Sequence, residues 1–335
     1  MKAILVGLGG RGRGWLKDCR KHPDVEVVAC VEPGPANKEH ALKELGVPKE
    51  ILFDDLNAAI KAVRADFVVD VTPPAVHEQV AMTAFEAGLH VMGEKPLSDD
   101  YASAKRVVEA GKRRGLKHML TQNYRFAGLP RTTRRLLATG KYGETGQLDV
   151  SLYVPWADSP GTHYVTEPYM FLTDMGIHHF DMMRYTLQQE PLSAQAVTWN
   201  LPWGWHKGDA CQLILFRFSG GVMVSHRAVG CTLGYVPAGH NGEWRFETPE
   251  GTLTWEGAKL FYTRSHRTPA KIREELPLDQ PETGGQNPVL VEFLHALKEN
   301  RAPECNAEDN LKSMAMVFAA LKSVKEKREV QLSEL

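Results

Sequence analysis

The fold of this protein is decided by a glycine-rich stretch, VGLGGRG, which runs from Val6 to Gly12. A short apolar run, Met1 to Gly7, leads into it, and the residues from Trp15 to His22 have helical character. A strand that passes through such a turn into a helix is typical of parallel α/β sheets that bind a dinucleotide. Three glycines match the pattern G-x-G-x-x-G: Gly7, Gly9 and Gly12.

The glycines and a later acid predict the cofactor. The first glycine allows a tight turn, the second lets backbone N–H groups approach a pyrophosphate, and the third lets helix and strand pack closely. A second apolar strand, VEVVACV, ends in Glu32, about 20 residues after Gly12. Its carboxylate is suited to bind both ribose hydroxyls and repels a 2′-phosphate. The pattern favours NAD, while Lys38 and the turn from Pro33 to Pro35 leave room for NADP.

The α/β alternation continues through the first third of the chain. Helical segments at Leu42–Gly46 and Asp55–Val63 precede a buried-strand pattern, DFVVDVT, at Asp66–Thr72. Apolar strands separated by helices indicate a parallel sheet covered on both faces, whose ligands sit beyond the carboxyl ends of the strands. This places Thr72, Pro73 and His77 near the cofactor. His77 is also consistent with a plain polar residue in the first turn of the next helix.

Length and composition bound the class of protein. The 335 residues exceed what one hydrophobic core usually supports, so we expect two domains. A formal net charge of -1 argues against nucleic acid or acidic membranes as partners. Five cysteines without a CxxC pair indicate reduced thiols. No run approaches the roughly 18 apolar residues of a membrane span, so we expect a soluble, cytoplasmic protein.

The pattern changes from about Phe126 onward. A helix is predicted at Arg131–Thr139, and two amphipathic helices are predicted at Asn287–Glu299 and Asp309–Lys325. Between them lie short β-rich segments separated by Gly, Pro or Asn, with a hairpin signal at Gly220–Gly221, which predict a largely antiparallel sheet. We therefore expect one domain at residues 1–124 and a second at 125–335.

A polar cluster lies in TDMGIHHFDMMRY, from Thr173 to Tyr185. On a helical wheel of about 100° per residue, four groups share one face: Asp174, His178, Asp181 and Tyr185. An apolar stripe lies opposite (Gly176, Phe180, Met183 and Leu187), and His179 points elsewhere. Three interpretations compete: a metal site, a structural polar face and a proton-handling site. The first lacks the second histidine of H-E-x-x-H.

A further motif, Glu94-Lys95-Pro96, follows a predicted strand. Together with the glycine motif and VTPPAVH at Val71–His77, it resembles the glucose–fructose oxidoreductase, inositol dehydrogenase and rhizopine-catabolism (Gfo/Idh/MocA) family of NAD(P)-dependent oxidoreductases. The resemblance spans essentially the whole chain. It implies an N-terminal Rossmann domain and a C-terminal α+β domain, whose large open, mostly antiparallel sheet belongs to a substrate-binding and oligomerisation domain. It also implies closing helices that pack back on the first domain.

The resemblance also implies the site residues. In the family, the lysine of E-K-P and a later D-x-x-x-H motif form the catalytic set, and the matching residues here are Lys95, Asp174 and His178. A cis peptide is implied between Lys95 and Pro96. The expected cofactor contacts are Gly7, Gly9, Gly10, Arg11, Gly12, Glu32, Thr72, Pro73, His77, Glu94, Lys95 and Asn123. The expected substrate contacts are Lys95, Asn123, Trp156, His163, Tyr164, Asp174 and His178, and no metal is expected.

Three candidates in that set lie on a predicted sugar-binding rim. The segment from Trp156 to Phe171 is rich in aromatic residues, whose faces stack on sugar rings. Pro168-Tyr169-Met170 stands where the family often has paired glycines, so Trp156, His163 and Tyr164 are assigned from composition alone. Tyr124 and Arg125 fit packing and salt-bridge roles better than substrate contacts.

The implied activity is hydride transfer between NAD(P) and a secondary alcohol of a sugar, inositol or related polyol. His178, assisted by Lys95, takes the hydroxyl proton, although either could be the base. Asp174 binds a neighbouring hydroxyl or orients the other two, and Asp181 supports the helix. Two alternatives remain open: an NAD-dependent glycoside hydrolase that uses transient oxidation, and a catalytically inactive dinucleotide sensor. The family also implies a homodimer or homotetramer formed through the open sheet.

Overall fold

A computed structural model describes residues 1–155, 165–234, 239–267, 272–280 and 283–335 of the chain. The chain divides into two compact units. The first unit comprises Met1–Asn123 and Glu282–Leu311, and the second comprises Tyr124–Pro281 and Lys312–Leu335.

The first unit is a parallel sheet flanked by helices. Its six described strands are β1 (Lys2–Val6), β2 (Glu26–Val31), β3 (Leu52–Phe53), β4 (Phe67–Asp70), β5 (His90–Gly93) and β6 (His118–Leu120). Its helices are α1 (Gly10–Lys21), α2 (Pro35–Lys43), α3 (Leu56–Ala62), α4 (Pro74–Glu86) and α5 (Tyr101–Arg113). The strand order, β3-β2-β1-β4-β5-β6, reverses beside β1. The expected Rossmann sheet is confirmed.

The centre of this sheet is dry because its strands carry apolar residues on both faces. Ile4 and Leu5 of β1, and Phe67 and Val68 of β4, are all 0% exposed. Such strands require cover on both sides, which the intervening helices supply. The strands therefore end at one carboxyl edge, where polar residues can meet a ligand.

The second unit contains a large, mostly antiparallel sheet. Its helices α6 (Gly128–Ala138) and α7 (Gly176–Leu187) precede most of the strands. The strands are β7 (Gln147–Tyr153), β8 (Pro191–Trp199), β9 (Cys211–Phe218), β10 (Met223–Val229), β11 (Glu243–Thr248), β12 (Gly251–Glu256), β13 (Lys259–Arg264), β14 (Arg273–Leu276) and β15 (Val330–Gln331). Among the described residues the order is β14-β13-β12-β11-β7-β10-β9-β8-β15, with only β7 and β10 parallel. The expected fold class is confirmed.

Later helices and turns agree with the predicted pattern. Helices α8 (Pro288–Lys298) and α9 (Ala307–Glu326) lie where amphipathic helices were expected. Phe293 of α8 packs edge-on against Phe67, at 5.3 Å between ring centroids, within the first unit. The predicted hairpin at Gly220–Gly221 joins the antiparallel pair β9 and β10. In the described part of the chain, no helix combines the length and hydropathy needed to cross a membrane.

The helix predicted from Thr173 onward is partly wrong. Phe171–Met175 forms a π-helical turn, and the α-helix α7 begins only at Gly176. The N–H of Gly176 donates to the carbonyl oxygen of Phe171, five residues earlier, and a Cβ at Gly176 would collide with that oxygen. Gly176 therefore permits the wide turn rather than contributing to an apolar stripe. A wheel of 100° per residue applies only beyond it.

Candidate functional site

The glycine turn after β1 has the shape that a pyrophosphate requires. Gly7 has φ +94°, and a Cβ there would lie 2.7 Å from the carbonyl oxygen of Val71. A Cβ on Gly12 would collide with the carbonyl oxygen of Gly7. Gly9 and Gly10 have no atom within 4 Å of an added Cβ, so the backbone is open at the start of α1. A helix N-terminus with accessible backbone is suited to bind phosphate.

Glu32 is held at the end of β2 by backbone donors. Its carboxylate accepts hydrogen bonds from the N–H of Leu8 and the N–H of Gly34, each at 2.8 Å, and the residue is 6% exposed. The acid thus connects the glycine turn to the β2–α2 turn. Lys38, whose positive charge kept NADP open as a cofactor in the sequence analysis, forms an ion pair with Asp54.

The E-K-P turn after β5 is tied to α1. Glu94 Oε1 accepts hydrogen bonds from Arg11 Nε at 3.0 Å and from Trp15 Nε1 at 2.7 Å. The peptide between Lys95 and Pro96 is cis, as the resemblance implied. Lys95 is half-buried. These bonds bring Glu94 and Arg11, two of the expected cofactor residues, together at the carboxyl edge of the sheet.

The end of β4 contributes a buried polar group. Asp70 Oδ1 accepts hydrogen bonds from Thr72 N at 3.0 Å and Thr72 Oγ1 at 2.6 Å. Burial raises the pKa of Asp70, and the neighbouring His77 opposes that shift. Pro73 is exposed beside Thr72, whereas His77 is buried and bonds to backbone carbonyls.

His178 lies in the first turn of α7, in the second unit. It is 6% exposed, and its ring stacks on Tyr124 with centroids 4.2 Å apart and planes 9° from parallel. Tyr124 belongs to the short 3-10 turn Asn123–Phe126, which follows β6. Asp174 is half-buried in the preceding π-helical turn. π-helical turns are frequent at functional sites.

Asp181 supports α7 through a buried ion pair. Arg125 Nε donates to Asp181 Oδ2 at 2.7 Å, and Arg125 Nη2 donates to Oδ1. Ser313 Oγ also donates to Oδ1, at 3.3 Å. Asp181 is 1% exposed and Arg125 is 5% exposed, so both charges are desolvated and matched. The sequence could not show this pairing because the two residues are 56 positions apart.

His179 belongs to a different buried network. Its Nε2 lies 2.8 Å from the carbonyl oxygen of His240, and its Nδ1 lies 2.9 Å from His226 Nε2. His226 Nδ1 in turn lies 3.0 Å from Gln212 Nε2. Because a carbonyl only accepts, His179 donates through Nε2, His226 donates to His179, and Gln212 donates to His226. Burial lowers the pKa of His179 to about 4 and that of His226 well below its usual value.

The expected site residues are divided between the two units, and three of them lie outside the described residues. Trp156, His163 and Tyr164 lie outside the described residues. Lys95 belongs to the first unit, and Asp174 and His178 belong to the second. Asn123 is half-buried at the end of the first unit. Across the described ranges, no group of three or more His, Cys, Asp or Glu side chains could hold a metal ion.

These features define a dinucleotide-binding protein with a Rossmann domain. The glycine turn and Glu32 fit NAD, because the first leaves space for phosphates and the second presents a carboxylate one strand away. Residues 1–122 match the oxidoreductase family with an NAD-binding Rossmann fold, and residues 131–252 match the GFO/IDH/MocA C-terminal domain. The chain belongs to the Gfo/Idh/MocA family.

Relatives of this chain include named dehydrogenases. A D-apiose dehydrogenase of Paraburkholderia graminis is 25% identical, with 100% of this chain and 90% of that protein covered. An inositol 2-dehydrogenase of Rhizobium meliloti is 24% identical, with 98% of each chain covered. An Agrobacterium radiobacter oxidoreductase, solved with NAD+, L-tartaric acid and magnesium, has a TM-score of 0.86 at 19% identity and covers 100% of this chain and 99% of that chain. This structural likeness shows a shared fold.

Proposed function

We propose that this protein is a dehydrogenase that transfers a hydride between NAD and a secondary alcohol of a sugar, inositol or related polyol. The observation that carries the proposal is that an E-K-P turn directly after β5 and a D-x-x-x-H pair at the start of a buried helix occur in one chain. The named dehydrogenases among its relatives support the substrate class. The first unit holds the cofactor, and the second supplies substrate contacts.

The proton is handled by the chain's own residues. His178 accepts the proton of the substrate hydroxyl, and Lys95 assists it, because imidazole exchanges protons near neutral pH and an ammonium stabilises the developing alkoxide. Asp174 binds a neighbouring substrate hydroxyl. Bound NAD would supply the acceptor for the hydride that leaves the carbinol carbon.

NAD is the preferred cofactor in this proposal. Glu32 is buried, fixed by two backbone N–H groups and placed after β2, where a 2′-phosphate would meet its negative charge. Lys38 already pairs with Asp54, so its charge is partly neutralised. Replacing Glu32 by Gln should therefore narrow the preference for NAD over NADP, while Glu39→Gln on the exposed side of α2 should leave it unchanged.

The test is a panel of sugars, inositols and related polyols, assayed with NAD and NADP separately by absorbance of the reduced cofactor. We expect net NADH with at least one polyol, and a loss of about 100-fold or more in kcat for Lys95→Ala and His178→Ala. Lys17→Ala and His266→Ala, at exposed positions, are matched controls that should retain activity.

Three outcomes contradict the proposal. A wild-type kcat in both Lys95→Ala and His178→Ala contradicts the catalytic roles proposed for these two residues. Glycoside cleavage without net NADH identifies a hydrolase that uses transient oxidation. Tight NAD binding without turnover across the panel identifies a sensor.

A further inference from the structure

A buried histidine on α4 connects two backbone segments at the carboxyl edge of the first sheet. His77 is 4% exposed. Its Nε2 lies 2.8 Å from the carbonyl oxygen of Thr72, and its Nδ1 lies 2.8 Å from the carbonyl oxygen of Pro96. Thr72 follows β4, and Pro96 is the proline of the cis turn. One imidazole therefore joins the E-K-P turn to the end of the neighbouring strand.

The two acceptors specify how many hydrogens the ring carries. A carbonyl oxygen only accepts hydrogen bonds, so a ring nitrogen bonded to one must donate. A neutral imidazole has one N–H and would direct a lone pair at the second carbonyl oxygen. Leaving a buried acceptor without its donor costs about 1–3 kcal/mol. An imidazolium satisfies both carbonyl oxygens with the ring in its observed position.

The charges around His77 are compatible with a cation. Asp70, at the end of β4, interacts with His77 and is 2% exposed. Burial, which is the largest effect, and the like charge of Glu94 raise the pKa of Asp70, and His77 opposes that shift. His118 on β6 also faces His77, but burial lowers the pKa of His118 to about 3, so it stays neutral and adds no competing charge near neutral pH.

A second set of bonds fixes the same corner. The N–H of Glu94 donates to the carbonyl oxygen of Asp70 at 2.8 Å, and the side chain of Asp70 accepts from Thr72 N and Oγ1. His77 closes this ring of bonds from the other side, through Thr72 and Pro96. The backbone of Lys95 is thus held between two anchored neighbours, Glu94 and Pro96.

We propose that His77 is a positioning residue that carries a hydrogen on both ring nitrogens and clamps the E-K-P turn to the end of β4. His77 acts on Lys95 through the backbone of Pro96. Its effect on turnover rests on the function proposed above for Lys95. The number of hydrogens on the His77 ring does not depend on that function.

Spectroscopy tests the proton count directly. In protein labelled with 15N-histidine and free of cofactor, the resonances that disappear in His77→Gln belong to His77. We expect both of its nitrogens to show bound hydrogen at about pH 7. A spectrum in which only one nitrogen of His77 carries hydrogen, as in a neutral tautomer, overturns the proposal that His77 donates to both carbonyl oxygens.

Kinetics test the positioning role. Gln at position 77 offers a single NH₂ donor group, and its oxygen would repel the second carbonyl oxygen. We expect His77→Gln to lower kcat by about tenfold or more while the Kd for NAD changes by less than about threefold. The matched control is His90→Gln, at the start of β5, where His90 Nδ1 accepts from Lys117 N and Gln can also accept.

The outcomes separate this inference from the proposed function. Wild-type kcat in His77→Gln, or an equal loss in His90→Gln, overturns the positioning role. If Lys95→Ala turns over normally while both nitrogens of His77 carry hydrogen, the function proposed for Lys95 fails and the protonation state stands.

Discussion

Gly12 shows how one absent side chain shapes the cofactor turn. A Cβ there would collide with the carbonyl oxygen of Gly7, so Gly12→Ala must displace the turn. We expect the Kd for NAD, measured by calorimetry, to rise about tenfold or more, which corresponds to about 1.4 kcal/mol. Gly14→Ala is the control, because its Cβ meets no atom within 4 Å. Unchanged NAD affinity in Gly12→Ala contradicts the assignment.

Tyr124 fixes the ring of His178 by stacking. Tyr124→Phe retains this face, whereas Tyr124→Leu removes it and the stacking energy of about 0.5–1.5 kcal/mol. We therefore expect kcat/KM to fall by about twofold to tenfold in Tyr124→Leu and to stay near wild type in Tyr124→Phe. Steady-state kinetics with the best polyol make the comparison. An equal loss in both variants would assign the role to the hydroxyl group.

The sequence indicates residues whose contacts are local, but it does not show contacts between residues that are distant in the chain. Gly7 and Gly12 act within one turn, so their spacing reveals them. His77 was expected at the cofactor, but its acceptor on Pro96 lies 19 positions away and only the fold brings the two together. Whether His77 also contacts cofactor stays a prediction.

At the scale of elements, α7 is seated by buried polar pairs. Asp181→Asn leaves the buried guanidinium of Arg125 without its counter-charge, and we expect a loss of about 3–5 kcal/mol in the free energy of unfolding. Asp279→Asn is the matched control, because Asp279 and Arg135 are 38% and 54% exposed and such pairs contribute about 0–1 kcal/mol. Urea unfolding of both variants gives the difference. Similar losses in the two would contradict a special role for the buried pair.

The histidine network beneath α7 predicts sensitivity to acid. His179 and His226 have lowered pKa values in the folded chain, so below about pH 6.5 the unfolded chain binds protons first. The free energy of unfolding should fall by about 1.4 kcal/mol per pH unit for each histidine, until pH passes the folded pKa, which is about 4 for His179. Above about pH 6.5 this loss is absent.

A single substitution isolates this effect. Gln in place of His226 can donate to His179 and accept from Gln212, but it does not titrate. Urea unfolding at about pH 7.5, 6 and 5 should show a shallower loss in His226→Gln than in the wild type. If the free energy of unfolding depended on pH identically in the two proteins, the claim that His226 is uncharged in the folded chain would be contradicted.

Element boundaries show why a helical wheel was not sufficient. The sequence from Thr173 onward predicts a single α-helix, because residue types alone do not distinguish the i+5 hydrogen bonds of a π-helical turn from the i+4 hydrogen bonds of an α-helix. The α7 helix is buried on nearly all sides, so its polar face meets Arg125 and Tyr124 and not solvent. The two sheets were predictable, since alternation and apolar runs repeat over several residues in their longer strands. The strands β3 and β15 have only two residues each, which is too short for a period to show.

At the scale of the whole molecule, one face of the second sheet carries neighbouring exposed apolar residues. Leu192, Val197, Leu213 and Leu215, on β8 and β9, are 51%, 56%, 39% and 42% exposed. We propose that copies of this chain associate through this face as a homodimer or homotetramer. Leu215→Glu should lower the mass measured by light scattering, and Leu233→Glu, in the loop after β10, should not. An unchanged mass in Leu215→Glu contradicts the proposed interface.

Hydride transfer from the substrate to NAD can be followed with an isotope label. A polyol that gives turnover is prepared with deuterium on the carbinol carbon and incubated with the protein and NAD. The proposed reaction predicts reduced cofactor that carries one deuterium for each alcohol oxidised, measured by mass spectrometry. Oxidised product formed with reduced cofactor that lacks deuterium, or with no reduced cofactor, would contradict hydride transfer from substrate to NAD.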